Sequence, residues 1–276
     1  MAGPRRVRAA ARPGPAAARP ARRGPRRTGS RPRPAPGIIT ATGLAGAGLL
    51  AASLSVRAGS RQFYLLTTAL ACTWAGGALA AGPLPWARPP DHGNLPHRLV
   101  VMPVLTGAGA FGLFYGAARL ARHIPALHQA IAAVLRYAED GPAPLVLLTA
   151  SANAVAEELF FRGALWSLTE QAHSLATTTL GYTATTVVTR NPSLTIAGTA
   201  TSVLFGLHRR ASDGVLAPAI SHLTWSLLML HYLPPLFETS PADQGRAPAS
   251  TLNNERGPGM MASPGRRRKS ASQHPA

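Results

Sequence analysis

One cysteine, Cys72, stands in the whole chain of 276 residues. An internal disulfide framework needs two, and a zinc cage of thiolates needs more, so both are excluded. Any bound metal would have to use histidine and carboxylate. Lysine is almost absent, with Lys269 its single example. Acidic residues are scarce, 10 Asp+Glu against 28 Lys+Arg, and the formal net charge is +18. An excess of that size points to nucleic acid when it lies on a folded domain. Here it lies in Pro/Gly/Ala-rich ends with almost no aromatic side chains to stack on bases, so no nucleic-acid partner is expected.

What the chain has in quantity is apolar sequence. Eleven arginines precede residue 37, and Arg266, Arg267, Arg268 and Lys269 form a second basic run near the end. The middle is built from Ala, Leu, Gly, Val and Thr. Residues 1–36 contain no acid and cannot bury a core, so they are expected to be a disordered basic tail. A secretory signal also places arginines before an apolar stretch. The stretch that follows is about 20 residues long and others succeed it, which favours a retained first span.

Gly37 to Val56, Phe63 to Gly82 and Leu99 to Ala118 are read as membrane spans. Gly107, Gly109, Gly112 and Gly116 suit close helix contact in the third. Arg57 to Arg61 and the Pro-rich Pro83 to His97, with Asp91 and His92, are loops. Ala126 to Tyr137 is a shorter segment, interfacial or a weak span. Glu139-Asp140-Gly141-Pro142 is a break, and Pro144 to Leu168 the helix after it, with a proline well placed at its start. Thr177 to Val188 and Leu194 to His208 are Thr-rich apolar segments. Val215 to Leu233 is the last span, closed by Pro234-Pro235. Residues 238–276 are a second disordered basic tail. The predicted fold is all-α: a polytopic transmembrane bundle of about eight helices, short or interfacial ones included, or six without them. Basic ends prefer the cytoplasmic side. Both termini are therefore expected in the cytoplasm of a multi-pass cell-membrane protein.

The chemistry lies where charge interrupts grease. Glu157, Glu158 and Arg162 sit in one apolar helix among Phe160, Phe161, Leu165 and Trp166. A charge at bilayer depth costs at least roughly 2.5–3.5 kcal/mol and usually marks function. Glu158 and Arg162, four apart, share a helix face and can pair. Glu157 is turned about 100° away, free to point elsewhere. Two further groups follow, His208 and His222, with Ser226 one turn beyond His222. Glu170, His173, His128 and His231 read as loop or interfacial groups, Trp166 and Trp225 as packing aromatics, and Arg209-Arg210 as a helix end near headgroups.

The logic of this set is hydrolytic. A carboxylate in an apolar site can serve as a base near neutral pH. Glu157 can take a proton from water and pass it to a leaving amine. His208 and His222 can hold that water, stabilise an oxyanion or, with Glu157, ligate zinc or another divalent metal. No H-E-x-x-H occurs, so the zincin signature is absent.

E-E-L-F-F-R, residues 157–162, resembles the E-E-x-x-x-R motif of the CPBP intramembrane proteases, the group of CAAX prenyl endopeptidases and bacteriocin-processing or immunity proteins. Phe205-Gly206-Leu207-His208 is similar to that family's F-x-x-x-H with Phe one residue closer; Leu204 stands at the expected position. His222 to Ser226 is similar to H-x-x-x-N/D with Ser in the last place. The likeness covers Pro144 to Phe237, so residues 37–237 are read as a membrane domain with a protease-like core at 144–237.

The resemblance implies an eight-helix membrane fold with a cavity open to cytosol and bilayer. Glu157 would activate water, Glu158 and Arg162 would support the site, and His208 and His222 would complete it. Ser226 would offer one hydroxyl where an amide or acid is usual. The implied activity is an endopeptidase, metal-dependent or of glutamate type, acting on a membrane-associated or lipidated protein or peptide at the lipid bilayer. A catalytically inactive scaffold or immunity protein of the same fold, and a transporter relaying protons through the carboxylates, are the rival readings.

Overall fold

The structure is a computed structural model describing residue 3 and residues 34–87, 97–169 and 172–237. The expected C-terminal tail lies outside the described residues, as do Asp91, His92, Glu170 and the expected N-terminal tail apart from residues 3 and 34–36; there the Ala35 N–H bonds to the Ala81 carbonyl and Pro36 already opens a helix. Among the described residues the fold is all-helical, with no strand. Its helices are α1 (Pro36–Ser53), α2 (Arg61–Ala81), α3 (His97–Ala121), α4 (Pro125–Glu139), α5 (Ala143–Leu168), α6 (Ser174–Val187), α7 (Pro192–Ser212) and α8 (Leu216–Tyr232). A short 3-10 turn, Pro234–Leu236, follows α8. The apolar segments read from the sequence recur in order, their ends moved by a few residues.

Local chemistry sets the helix starts. Pro36, Pro125 and Pro192 open α1, α4 and α7, where a missing N–H costs nothing. Ser60 caps α2 by accepting from the Phe63 N–H at 3.2 Å. Asn191 caps α7 by accepting from the Leu194 N–H at 3.1 Å. Four helices, α1, α2, α3 and α5, are long and apolar enough to cross a membrane. The helix α4 has 15 residues, α6 has 14 and α8 has 17, each short for a hydrocarbon core of about 30 Å.

The helix α5 is the hub. Of its most apolar window 44% is buried, against 22%, 28% and 17% for α1, α2 and α3. It packs on α2 and α8, and its second half also meets α6. The helices α1 and α2 form one pair, α3 and α8 a second, α6 and α7 a third. Trp74 of α2, wholly buried, stacks on Phe160 and Phe161 of α5 at 4.7 and 5.2 Å.

The glycine stripe of α3 behaves differently from its reading. A Cβ on Gly107 would strike the Ser221 carbonyl oxygen and lie 2.7 Å from Thr224 Cβ, so this glycine lets α3 and α8 touch. Cβ atoms at Gly109, Gly112 and Gly116 would meet nothing within 4 Å. These three therefore make no helix contact among the described residues.

Inside α5 the backbone widens into a π-helical segment over Leu159–Leu165, directly after Glu158. Such segments leave a carbonyl without its usual N–H donor and recur at functional sites. The Trp166 N–H bonds to the carbonyls of Phe161 and Gly163, passing over Arg162. The Arg162 carbonyl accepts instead from Arg209 Nε of α7 at 2.9 Å. Arg209 is thus buried inside the fold, its guanidinium 5.6 Å from the Trp166 ring, rather than marking a headgroup contact. Arg210 is exposed, as expected.

Candidate active site

The paired carboxylates take different partners. Glu158 and Arg162 are both fully buried, at 0% exposure. Arg162 Nη1 lies 3.0 Å from Glu158 Oε1, the expected four-residue pairing. His222 Nδ1 reaches the same oxygen at 2.9 Å. A carboxylate can only accept, so His222 donates through Nδ1 and its Nε2 is left free for other work. Arg162 Nη2 also donates to the Ser202 carbonyl of α7 at 3.2 Å. Helices α5, α7 and α8 are tied together at this point. Two buried atoms, Glu158 Oε2 and Arg162 Nε, have no hydrogen-bond partner among the described residues.

Glu157 faces another way, as its angular offset predicts. Its Oε2 accepts from the Tyr182 hydroxyl of α6 at 2.5 Å. Its carboxyl is still within electrostatic reach of His222, Glu158 and Arg162. Glu157 lines an apolar cavity of about 650 Å³. Asn153, one turn earlier on α5, lines it too, as do Trp225 and Ser226 from α8. The remaining wall comes mainly from apolar side chains of α1, α2, α3, α4 and α7, such as Ile131 and Leu194. Ser226 therefore lines the same cavity as Glu157, although it makes no contact with the Glu158–Arg162–His222 cluster among the bonds described.

His208 stands one step aside. Its Nδ1 is 2.9 Å from Ser221 Oγ. The Ser221 hydroxyl has one proton and lies 2.9 Å from the Pro103 carbonyl and 3.1 Å from that of Ala217. It therefore accepts from His208, which again leaves Nε2 as the free ring nitrogen. Ser221 precedes His222 on α8, so the two imidazoles flank one short stretch of helix, and His208 feels the Glu158 charge. Phe205, fully buried, stacks on His222 with ring centres 5.0 Å apart. Its shifted place in the motif is thus the place that supports this imidazole.

The nitrogen and oxygen donors expected to ligate a metal are of a suitable kind for zinc, but they are not assembled into one set. Among the described residues no three His, Cys, Asp or Glu side chains gather as a metal group. Glu157, His208 and His222 bond Tyr182, Ser221 and Glu158 through Oε2, Nδ1 and Nδ1, which leaves Glu157 Oε1 and the two Nε2 atoms open.

Tyr182 and Ser221 were not read from the sequence, and Arg209 was read as a headgroup contact rather than as a donor to the α5 backbone. Each sits outside any motif, on a helix whose approach to α5 or α8 depends on the fold. The bland readings of other groups hold in part. Trp166 is buried packing, while His173 and His231 are exposed.

Residues 139–228 match the family model described as Type II CAAX prenyl endopeptidase Rce1-like. The match runs from the end of α4 into α8 and takes in Glu157, Glu158, Arg162, His208, His222 and Ser226. Over this stretch it bears out the likeness to the CPBP family. No curated protein and no solved structure matches the chain.

Proposed function

From the Rce1-like match we infer that the protein is a multi-pass membrane endopeptidase, cleaving a peptide bond near a prenylated or otherwise lipidated end of its substrate. The observation that carries this reading is the position of Glu157. It stands where the apolar cavity meets the buried Glu158–Arg162–His222 cluster. A cavity of that size and character suits a lipid chain or apolar peptide end, and the carboxylate at its wall suits a base.

In the reaction, water lies between Glu157 and the scissile carbonyl. As the water oxygen bonds to the carbonyl carbon, its proton passes to Glu157. The C–N bond then breaks, and Glu157 returns the proton to the leaving amine. A carboxylic acid and an amine result, and Glu157 is regenerated. His208 and His222 complete the site through their free Nε2 atoms, holding the water or, when protonated, the developing oxyanion. Glu158 and Arg162 fix His222 and do not themselves exchange protons with substrate. Ser226 adds a hydroxyl to the same cavity. Both termini lie in the cytoplasm on this reading, where a prenylated substrate would arrive.

The test uses full-length protein in lipid nanodiscs and an internally quenched, farnesylated CAAX peptide. Wild type should cleave it. Glu157→Gln and His222→Ala should each lower kcat at least about 100-fold, the usual scale of a lost acid–base group. Both variants should still reach the membrane fraction at wild-type level. A chelator separates the two chemistries: an unchanged rate marks Glu157 acting alone, and a lost rate restored by zinc marks a metal held by Glu157, His208 and His222. Equal cleavage by wild type and Glu157→Gln would defeat the reading.

A further inference from the structure

The hydroxyl of Tyr182 belongs to none of the motifs, yet it makes the shortest contact in the site, 2.5 Å to Glu157 Oε2. We propose that Tyr182 is a positioning residue for Glu157, holding one carboxylate oxygen so that the other, Oε1, is presented to water at the cavity wall. This rests on the proteolytic reading above.

A glutamate is poorly placed by its own chain. Its terminal torsion is broad and roughly two-fold, so an unheld carboxylate sweeps through many orientations. Proton transfer needs the base within hydrogen-bond reach of one water in one geometry. A phenol O–H bonded to Oε2 removes that freedom. The neighbouring Asn153 cannot do the same work through its amide N–H. Its Nδ2 is already committed to the Thr67 and Thr149 carbonyls at 3.2 and 2.8 Å.

Tyr182 is itself held from three sides. The Phe161 ring of α5 packs on it at 4.8 Å with an interplanar angle of 60°. The Arg162 guanidinium lies over its face, 5.3 Å from the ring centre. On α7, Gly198 gives it room: a Cβ there would come within 3.0 Å of Tyr182 Cε1 and 2.9 Å of Thr186 Cγ2. A ring fixed by α5 and α7 delivers its hydroxyl to one point. Arg162 thereby serves both carboxylates, pairing with Glu158 directly and bracing the phenol that holds Glu157.

The experiment compares wild type, Tyr182→Phe, Gly198→Ala and Glu157→Gln in nanodiscs with the same farnesylated peptide, recording kcat, KM and the unfolding midpoint. Tyr182→Phe keeps the ring and removes only the hydroxyl. It should lower kcat about 10- to 100-fold, less than loss of the base itself, with KM and midpoint unchanged. Gly198→Ala keeps the hydroxyl and pushes the ring, and should lower kcat in the same direction at unchanged KM. A purely structural tyrosine would instead lower the midpoint and leave kcat of the folded fraction alone. Wild-type kcat in Tyr182→Phe, beside an inactive Glu157→Gln, overturns this role and leaves the proteolytic reading standing. Full activity of Glu157→Gln overturns both. Should Tyr182→Phe fail to accumulate, Gly198→Ala decides, and wild-type kcat there overturns the role.

Discussion

Glu157 and Glu158 are chemically identical and adjacent, and the fold gives them opposite duties. Glu158 is wholly enclosed, with a guanidinium and an imidazole on one oxygen. A buried ion pair adds little net stability, but removing one partner leaves a bare charge and costs about 3–5 kcal/mol. Arg162→Leu should therefore lower unfolding stability by that amount, measured by thermal or denaturant unfolding in detergent. Glu157→Gln should cost about 1 kcal/mol or less, since it keeps shape and an acceptor for Tyr182. The pair of measurements separates support from chemistry. Equal destabilisation by both would contradict the division.

At the scale of the element, α5 matters through its π-helical segment and α3 through one glycine. The segment Leu159–Leu165 spares the Arg162 carbonyl for Arg209 and so binds α7 to α5 beside the site. Nothing in the composition of L-F-F-R-G-A-L announces such a widening. Its cause is tertiary, because the freed carbonyl is worth exposing only when a donor from α7 stands ready. Gly107 sets the approach of α3 to α8, the helix carrying His222. Gly107→Leu should destabilise the protein by about 1–3 kcal/mol, as overpacking does, and should reduce cleavage by displacing α8. Gly112→Leu, in open space, should match wild type in both unfolding and cleavage assays. The stripe of glycines was visible beforehand, but which one touches depends on how α3 is rotated.

On the scale of the molecule, helices from both ends of the described chain line one apolar cavity, and among its described lining residues Glu157 of α5 is the one charged group. Substrate binding and bond cleavage are therefore physically separable. Ile131 lies on the apolar side, on α4, away from Glu157 in sequence and element. Ile131→Trp should narrow the cavity and raise KM several-fold for a farnesylated peptide. It should have little effect on kcat, because the base is untouched. A fall in kcat at constant KM would show that α4 reaches the reacting atoms. The Rce1-like match begins at residue 139. The walls built by α1, α2, α3 and most of α4 thus lie outside the matched stretch, which makes them the natural place for substrate preference to reside.

The sequence alone determined the helical class, the order of apolar segments, the Glu158–Arg162 pairing and the divergence of Glu157. Each follows from a short-range rule: apolar length, proline and cap chemistry, and the 3.6-residue turn. Tertiary structure decided everything that needs two helices at once. It placed His222 on Glu158, gave His208 to Ser221 and Glu157 to Tyr182, and buried Arg209 against Trp166. These outcomes depend on helix rotation and crossing, which are set by the sum of many weak packing contacts and leave no local mark in the chain.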